Sequence, residues 1–319
     1  MHSFNELVVL FEEQLDKGMP FFGKPETLYE PCRYFMTIGG KRVRPVLALM
    51  ANELFGELNE DAWRAAMGIE LFHNFTLIHD DMLDKAPLRR GMATVHERNG
   101  MTAGILGGDV MAIYAYDQLA HITTSLPKIL HLFNKTSIEV CEGQQIDMDF
   151  ETRNDVSIDE YIEMITLKTS VLLACSLKMG ALLGGATEGN ANKLYEFGKN
   201  LGLAFQLRDD YLDAYSAASG KQQGGDIKSN KKTFLLLKAM ENANELQSQA
   251  IKALLERDDE SKVPAMLALY TNTGADEACK QAIAHYSQLA FDCLEDAAVQ
   301  NVRKQPLRDL AEYLLTREA

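Results

Sequence analysis

The chain has 319 residues, 46% of them apolar, enough to bury a large core as one big domain or as two. Its 46 acidic against 32 basic side chains leave a formal charge of −14, which argues against a nucleic-acid backbone or a polybasic membrane anchor. Five scattered cysteines (Cys32, Cys141, Cys175, Cys279 and Cys293) form no CxxC pair and read as reduced, buried thiols.

The first stretch, MHSFNELVVLFEEQLDKG, breaks its apolar run with Glu12 and Glu13. It therefore reads as neither a signal peptide nor a membrane span, and a cytoplasmic protein is expected. Helical periodicity dominates the rest of the chain, and strand alternation is scarce. Apolar residues recur at spacings of three and four in DAWRAAMGIELFHNFTLIHDDMLD, in SIDEYIEMITLKTSVLLACSLKMGALL and in KLYEFGKNLGLAFQLRDDYLDAY. No proline falls between Pro127 and Pro264, a span that suits long helices and short loops. The spacing predicts an all-α protein. Helix breaks are expected at FFGKPE, KAPLRRG, SLPK, TRNDVS, GGATEGN, SGKQQGGD and TNTGAD. Residues 216–232, rich in Gly, Ser, Gln and Lys, read either as a linker or as a mobile active-site loop.

Two predicted helices end in the same arrangement. Asp80, Asp81 and Asp84 stand at i, i+1 and i+4, and so do Asp209, Asp210 and Asp213. On a helix the first and last of each trio share a face, while the second projects about 100° away. Like charges at this spacing repel, so two copies capping apolar helices point to a cationic ligand. Carboxylate oxygens suit Mg2+, which takes few protein ligands and completes its octahedron with water and phosphate oxygens. Lys41, Arg42 and Arg44 in IGGKRVRP, and Arg89 and Arg90 after the first acidic trio, supply groups for an anion. A magnesium–diphosphate complex satisfies both sets.

These residues occur in ordered, specific stretches: GGKRVRP, HDDMLD followed by LRRGMATVH, GGD at 107–109, GQQIDMDFE, LKTS, FQLRDDYLD and GGDIKSNKKT. With them the chain resembles the trans-prenyltransferases, the head-to-tail isoprenyl diphosphate synthases, over nearly its whole length. Two departures are Ala93, where proline is common, and Asn230, where glycine often precedes the lysine. The resemblance implies a single all-α domain over residues 1–319, a bundle of long helices around a central cavity, usually paired as a homodimer. It implies Mg2+-dependent condensation of isopentenyl diphosphate with an allylic diphosphate, with three Mg2+ ions per site.

Carried over by residue, the resemblance makes Asp80, Asp84 and Asp209 metal ligands, with Asp81, Asp210 and Asp213 supporting them. Arg89, Lys168, Lys221 and Lys231 would clamp the allylic diphosphate. Gly40, Lys41, Arg44, His73 and Arg90 match the isopentenyl diphosphate site. Thr169 and Gln206 would set oxygen dipoles beside a developing cation. Chain length in such enzymes is limited by bulky residues ahead of the first acidic trio, here Phe72 and Phe75, with the smaller Thr76 beside them. Phe75 lies about 7.5 Å and Phe72 about 12 Å along the helix from Asp80. A single aromatic at Phe75 favours geranylgeranyl over farnesyl diphosphate as product. Glu70 and His73 also spell the ExxH of di-iron bundles, but no second ExxH is present. A class I terpene cyclase would replace the second acidic trio with an Asn/Ser/Glu motif. A non-catalytic subunit would lose part of one trio, and both trios are intact.

Overall fold

The computed structural model describes residues 1–216 and 224–316. In chain order the helices are α1 (Phe4–Gly18), α2 (Glu26–Thr37), α3 (Val43–Phe55), α4 (Glu60–Leu83), α5 (Val95–Asn99), α6 (Met101–Ala120), α7 (Leu126–Thr152) and α8 (Ile158–Ile165). A π-helical turn, Thr166–Ser170, joins α8 to α9 (Val171–Leu183). There follow α10 (Glu188–Tyr215), α11 (Gly225–Lys228), α12 (Phe234–Asn242), α13 (Glu245–Leu255), α14 (Lys262–Asn272), α15 (Ala275–Glu295) and α16 (Asn301–Thr316). The only strands among the described residues are β1 (Leu88–Arg89) and β2 (Met92–Ala93), an antiparallel hairpin. The all-α expectation holds, and the hairpin is the one local departure from it.

Helix starts follow side-chain chemistry. Ser3 with Glu6, Ser157 with Glu160 and Asn244 with Gln247 form capping boxes, in which each side chain serves a backbone N–H that the helix leaves without a partner. Asn59 caps α4 by accepting from the Ala62 N–H at 2.9 Å. Every predicted break within the described residues falls between helices or at the end of one, while residues 219–223 of SGKQQGGD lie outside the described residues. At TRNDVS, for example, α7 ends at Thr152 and α8 begins at Ile158.

The chain divides into two compact units. The first comprises Met1–Phe133, Ser176–Asn192 and Val299–Leu307. In it α4 packs against α3 and α6 around a core that includes Phe11, Phe35, Leu47, Leu49, Ile69, Leu71 and Leu119. The second comprises Asn134–Cys175, Lys193–Ala298 and Arg308–Ala319, with a core of Phe150, Tyr161, Met164, Leu207, Phe234, Leu236, Met266 and Tyr270. Complete burial of one such leucine is worth about 1.5–3 kcal/mol, so long apolar helix faces alone account for a folded core in each unit.

Ile158–Leu183 is apolar enough to cross a membrane by length and composition, with a mean hydropathy of 1.4. Yet 67% of that window is buried within the protein, the behaviour of a core helix. None of the five cysteines is in a disulfide, and Cys32, Cys175 and Cys279 are buried as expected. Cys141 is exposed, because it falls on the outer face of α7.

Candidate active site

In the first unit one helix, α4, carries Glu70, His73, Asp80 and Asp81, with Asp84 as its C-cap. It ends where Lys85 turns left-handed at φ 52, with Lys85 N–H donating to the Met82 carbonyl and Ala86 N–H to the Asp81 carbonyl. This Schellman closure places the acidic trio at the negatively polarised end of the helix, where carboxylates are unfavourable without a cation. Asp81 points inward and is 2% exposed, and both its oxygens accept from Arg89 Nε, at 2.8 and 2.9 Å. Burial pushes the Asp81 carboxyl up, and the Arg89 guanidinium pulls it back. Arg89 Nη2 also reaches Asp80 Oδ2 at 3.4 Å. Asp80 is half-buried and Asp84 exposed, so the two that share a helix face are the two nearer solvent.

The β1–β2 turn is Arg90-Gly91, both left-handed at φ 52 and 79, as a two-residue hairpin of this hand requires. It carries the Arg90 guanidinium over Gly40, where a β-carbon would stand 2.9 Å from Nη1, so a larger residue there would push the Arg90 guanidinium aside. Ala93 keeps its carbonyl as acceptor for the Tyr34 hydroxyl at 2.7 Å, a role proline would fill equally.

Arg44 Nη1 lies 3.1 Å from His73 Nε2. Arginine only donates, so Nε2 holds the lone pair and the ring proton sits on Nδ1. Burial first, then Arg44, Arg90, Arg89 and Arg42, hold the imidazole well below its ordinary pKa. His73 is thus a neutral group in a strongly cationic surrounding. Lys41 is exposed, next to this cluster in sequence.

Arg42, grouped by sequence with Lys41 and Arg44, has a different task. It is buried, bonded through Nη1 to Glu70 at 2.6 Å, through Nε to Glu12 at 2.7 Å and through Nη2 to the Met36 carbonyl at 3.3 Å. Glu70 also accepts from Asn74 Nδ2 at 2.9 Å. The ExxH glutamate is therefore the counter-ion of a buried arginine, and the di-iron alternative has no geometry behind it. Nothing local in the sequence links residues 12, 42 and 70.

Ahead of the acidic trio the rings of Phe72 and Phe75 meet edge to face at 5.5 Å, Phe72 and Phe133 at 5.2 Å, and Phe75 and His79 at 4.9 Å. Phe72 and Phe133 are buried and Phe75 is half-buried. Thr76 turns its hydroxyl back to the His73 carbonyl at 2.8 Å. A β-carbon on Gly108 would fall 2.2 Å from His79 Nε2, so the glycine in the GGD stretch leaves room for the His79 ring in its present position.

In the second unit, LKTS forms the π-helical turn, a distortion common at functional sites. α7 approaches it so closely that a β-carbon on Gly143 would lie 2.2 Å from the Lys168 nitrogen. Lys168 Nζ is paired with Asp147 Oδ2 at 2.5 Å, so the aspartate of GQQID, to which sequence reading assigned no role, is a partner of this lysine. Thr169 Oγ1 donates to Gln206 Oε1 at 3.1 Å, and Gln206 Nε2 donates to Asp210 Oδ1 at 2.9 Å. Asp210 is 6% exposed and takes a second hydrogen bond, on Oδ2, from the Tyr161 hydroxyl at 2.5 Å. Burial, reinforced by Asp226, pushes the Asp210 carboxyl up to about 7. Asp209 and Asp213 are half-buried.

Asp213 Oδ2 accepts from the Asp226 N–H at 2.9 Å and its carbonyl from the Gly224 N–H at 2.8 Å, which ties GGDIKSNKKT to the acidic helix. Asn230 is left-handed at φ 57, the conformation that glycine and asparagine share, so this departure preserves the turn. Lys231 follows it, exposed. Lys221 lies outside the described residues.

Among the described residues no three His, Cys, Asp or Glu side chains form a metal cage. The donors at each helix end are hard oxygens without sulfur or imidazole, a set that fits Mg2+ with water and phosphate oxygens filling the remaining positions.

A sequence profile of polyprenyl synthetases matches residues 25–271. A geranylgeranyl diphosphate synthase of Methanosarcina mazei is 38% identical over 304 residues, covering 92% of this chain and 91% of that protein. The crystal structure of a geranylgeranyl pyrophosphate synthase superposes over 100% of both chains with a TM-score of 0.95 at 40% identity. A polyprenyl synthase from Caulobacter crescentus, complexed with calcium and isoprenyl diphosphate, matches with a TM-score of 0.87 at 28% identity, covering 99% of this chain and 98% of that one. With these likenesses running through both units, the chain belongs to the polyprenyl synthetase family.

Proposed function

We propose that this chain is a geranylgeranyl diphosphate synthase, a single catalytic domain that extends dimethylallyl, geranyl or farnesyl diphosphate with isopentenyl diphosphate. The observation that carries the reading is α4, which bears Asp80 and Asp84, oxygen donors suited to a hard cation, and, about 10 Å earlier on the same rigid element, the neutral His73 amid arginines. One helix would thus carry groups for a diphosphate bound together with metal and for a second held by side chains alone. Relatives named as geranylgeranyl synthases support the product, and the calcium–isoprenyl diphosphate complex of the Caulobacter protein supports the ligand pair.

Asp80, Asp84 and Asp209 are the residues that would hold three Mg2+ ions, with Asp81, Asp210 and Asp213 in supporting roles. When bound, such ions neutralise a diphosphate and make it a better leaving group. Arg89, Lys168 and Lys231, with Lys221, bind the allylic diphosphate. Gly40, Lys41, Arg44, His73 and Arg90 bind isopentenyl diphosphate. The allylic C–O bond breaks with its electron pair on the departing diphosphate. The terminal alkene carbon of isopentenyl diphosphate attacks the allylic carbon, and the resulting tertiary cation loses a proton to give the longer trans product. No protein nucleophile is needed. Thr169 and Gln206 present oxygen dipoles to the developing charge.

Product length follows from the aromatic group. Thr76 offers no ring, so Phe75 is the partly exposed floor, backed by the buried Phe72 and Phe133, which favours C20 over C15. One side of α6 exposes Met101, Ile105, Leu106, Ile113 and Tyr116, an apolar face suited to a second copy of the chain, and sedimentation should show a homodimer. The deciding assay incubates the protein with radiolabelled isopentenyl diphosphate, each allylic primer and Mg2+, with chromatography of the dephosphorylated products. C20 is expected, and no extension of any primer overturns the reading.

A further inference from the structure

The second unit contains a directed chain of hydrogen bonds across three elements. It runs from Tyr161 on α8 to Asp210 on α10, and from Thr169 in the π-helical turn through Gln206 to the same carboxylate. Both Asp210 oxygens accept, Oδ1 from Gln206 Nε2 and Oδ2 from the Tyr161 hydroxyl, so Gln206 turns its NH2 inward. The amide oxygen must then face Thr169, and the Thr169 proton is committed to it, leaving the hydroxyl lone pairs on the side away from Gln206. The orientation of both dipoles therefore rests on where Asp210 stands. Asp210 is held in turn by a phenol that is 1% exposed, at the bottom of the core.

We propose that Tyr161 is a positioning residue for the condensation. Its hydroxyl anchors Asp210, and through Asp210 it sets the orientation of the Gln206 and Thr169 dipoles, while Asp210 acts as the root of this chain rather than as a ligand of the cation. The proposal rests on the prenyl-transfer reading of the site.

Tyr161→Phe keeps the ring and its edge contact with Phe234 and removes only the hydroxyl. The expected result is a kcat about tenfold or more lower, Michaelis constants for both diphosphates within twofold of wild type, and a melting temperature within a few degrees. Calorimetric binding of an unreactive allylic thiodiphosphate with Mg2+ should also stay within twofold, because no ligand of either has been touched. Thr169→Val should lower kcat comparably, Thr169→Ser should restore most of it, and Tyr161→Phe combined with Thr169→Val should cost clearly less than the product of the two separate losses. A Tyr161→Phe enzyme with kcat within twofold of wild type, losses that multiply in the double variant, or analogue binding that falls with kcat would each overturn the proposal. A wild type that extends no primer would overturn the parent reading, and this one with it.

Discussion

The two acidic trios share one spacing and differ in how their middle carboxylate is held. Asp81 and Asp210 both point inward and are nearly fully buried, while the residues before and after each of them stay half-buried or exposed. Asp81 is met by a guanidinium, that of Arg89, which supplies an opposite charge. Asp210 is met by a phenol and an amide, which supply hydrogen bonds but no charge. The difference shows in their titration: the Asp210 carboxyl is pushed up to about 7, whereas Arg89 offsets part of the burial at Asp81. The lesson concerns the motif itself. In a DDxxD at a helix end the i and i+4 carboxylates are offered outward and the i+1 carboxylate anchors the helix end, and each anchor recruits whatever donor its own unit provides.

The strongest way to break this comparison is to remove an outward carboxylate. Asp80→Asn should lower kcat by roughly a hundredfold or more, since even outer partners of metal ligands are worth about 10–100-fold. Its melting temperature should barely move, because Asp80 is half-buried at a helix end. A collapse in thermal stability with activity preserved per folded molecule would make Asp80 structural instead.

Next come the two anion sites. Arg89→Ala should raise the Michaelis constant for the allylic substrate and Lys41→Ala that for isopentenyl diphosphate, each by about 1.5–3 kcal/mol of charge-assisted contact, on the order of 10–100-fold. Arg89→Ala should also lower stability, because it leaves Asp81 buried without its counter-charge, whereas Lys41 is exposed. Parallel changes in both Michaelis constants for both variants would erase the distinction between the sites.

The anchors differ in their response to pH. A carboxyl at about 7 in the fold and near its ordinary value when unfolded binds more protons folded than unfolded between those two points. Its contribution is fully present below the ordinary carboxylate range and is lost as pH rises through about 7. Metal-free protein should therefore gain thermal stability from this group between pH 8 and pH 5.5, and Asp210→Asn should flatten that part of the profile. A slope unchanged by Asp210→Asn would remove the contrast with Asp81.

The smallest expected change is in product length. Phe75→Ala should add at least one five-carbon unit to the product, with total turnover changed only modestly, because Phe72 and Phe133 remain as a second barrier. An unchanged distribution would place the floor on other residues.

Much of the site was legible because its chemistry is local. The acidic trios, Arg89 and Arg90, the GGKRVRP turn and LKTS each occupy a few consecutive residues, and helical geometry alone sets Asp81 and Asp210 about 100° away from the face their neighbours share. The helix breaks were readable for the same reason, since caps and turns are made by neighbours. Arg42 was misgrouped because its partners, Glu12 and Glu70, stand 30 and 28 positions away. Asp147 and Tyr161 were passed over likewise, 21 positions from Lys168 and 49 from Asp210.

By itself the sequence determined the helical architecture, the cation-seeking helix ends and the family, because periodicity, like-charge repulsion and motif order are properties of the chain. Only the tertiary structure decided which charges stay near solvent and which are consumed inside the fold. That choice depends on burial and on partners brought from distant segments, and a buried carboxylate takes its character from the donor packed against it.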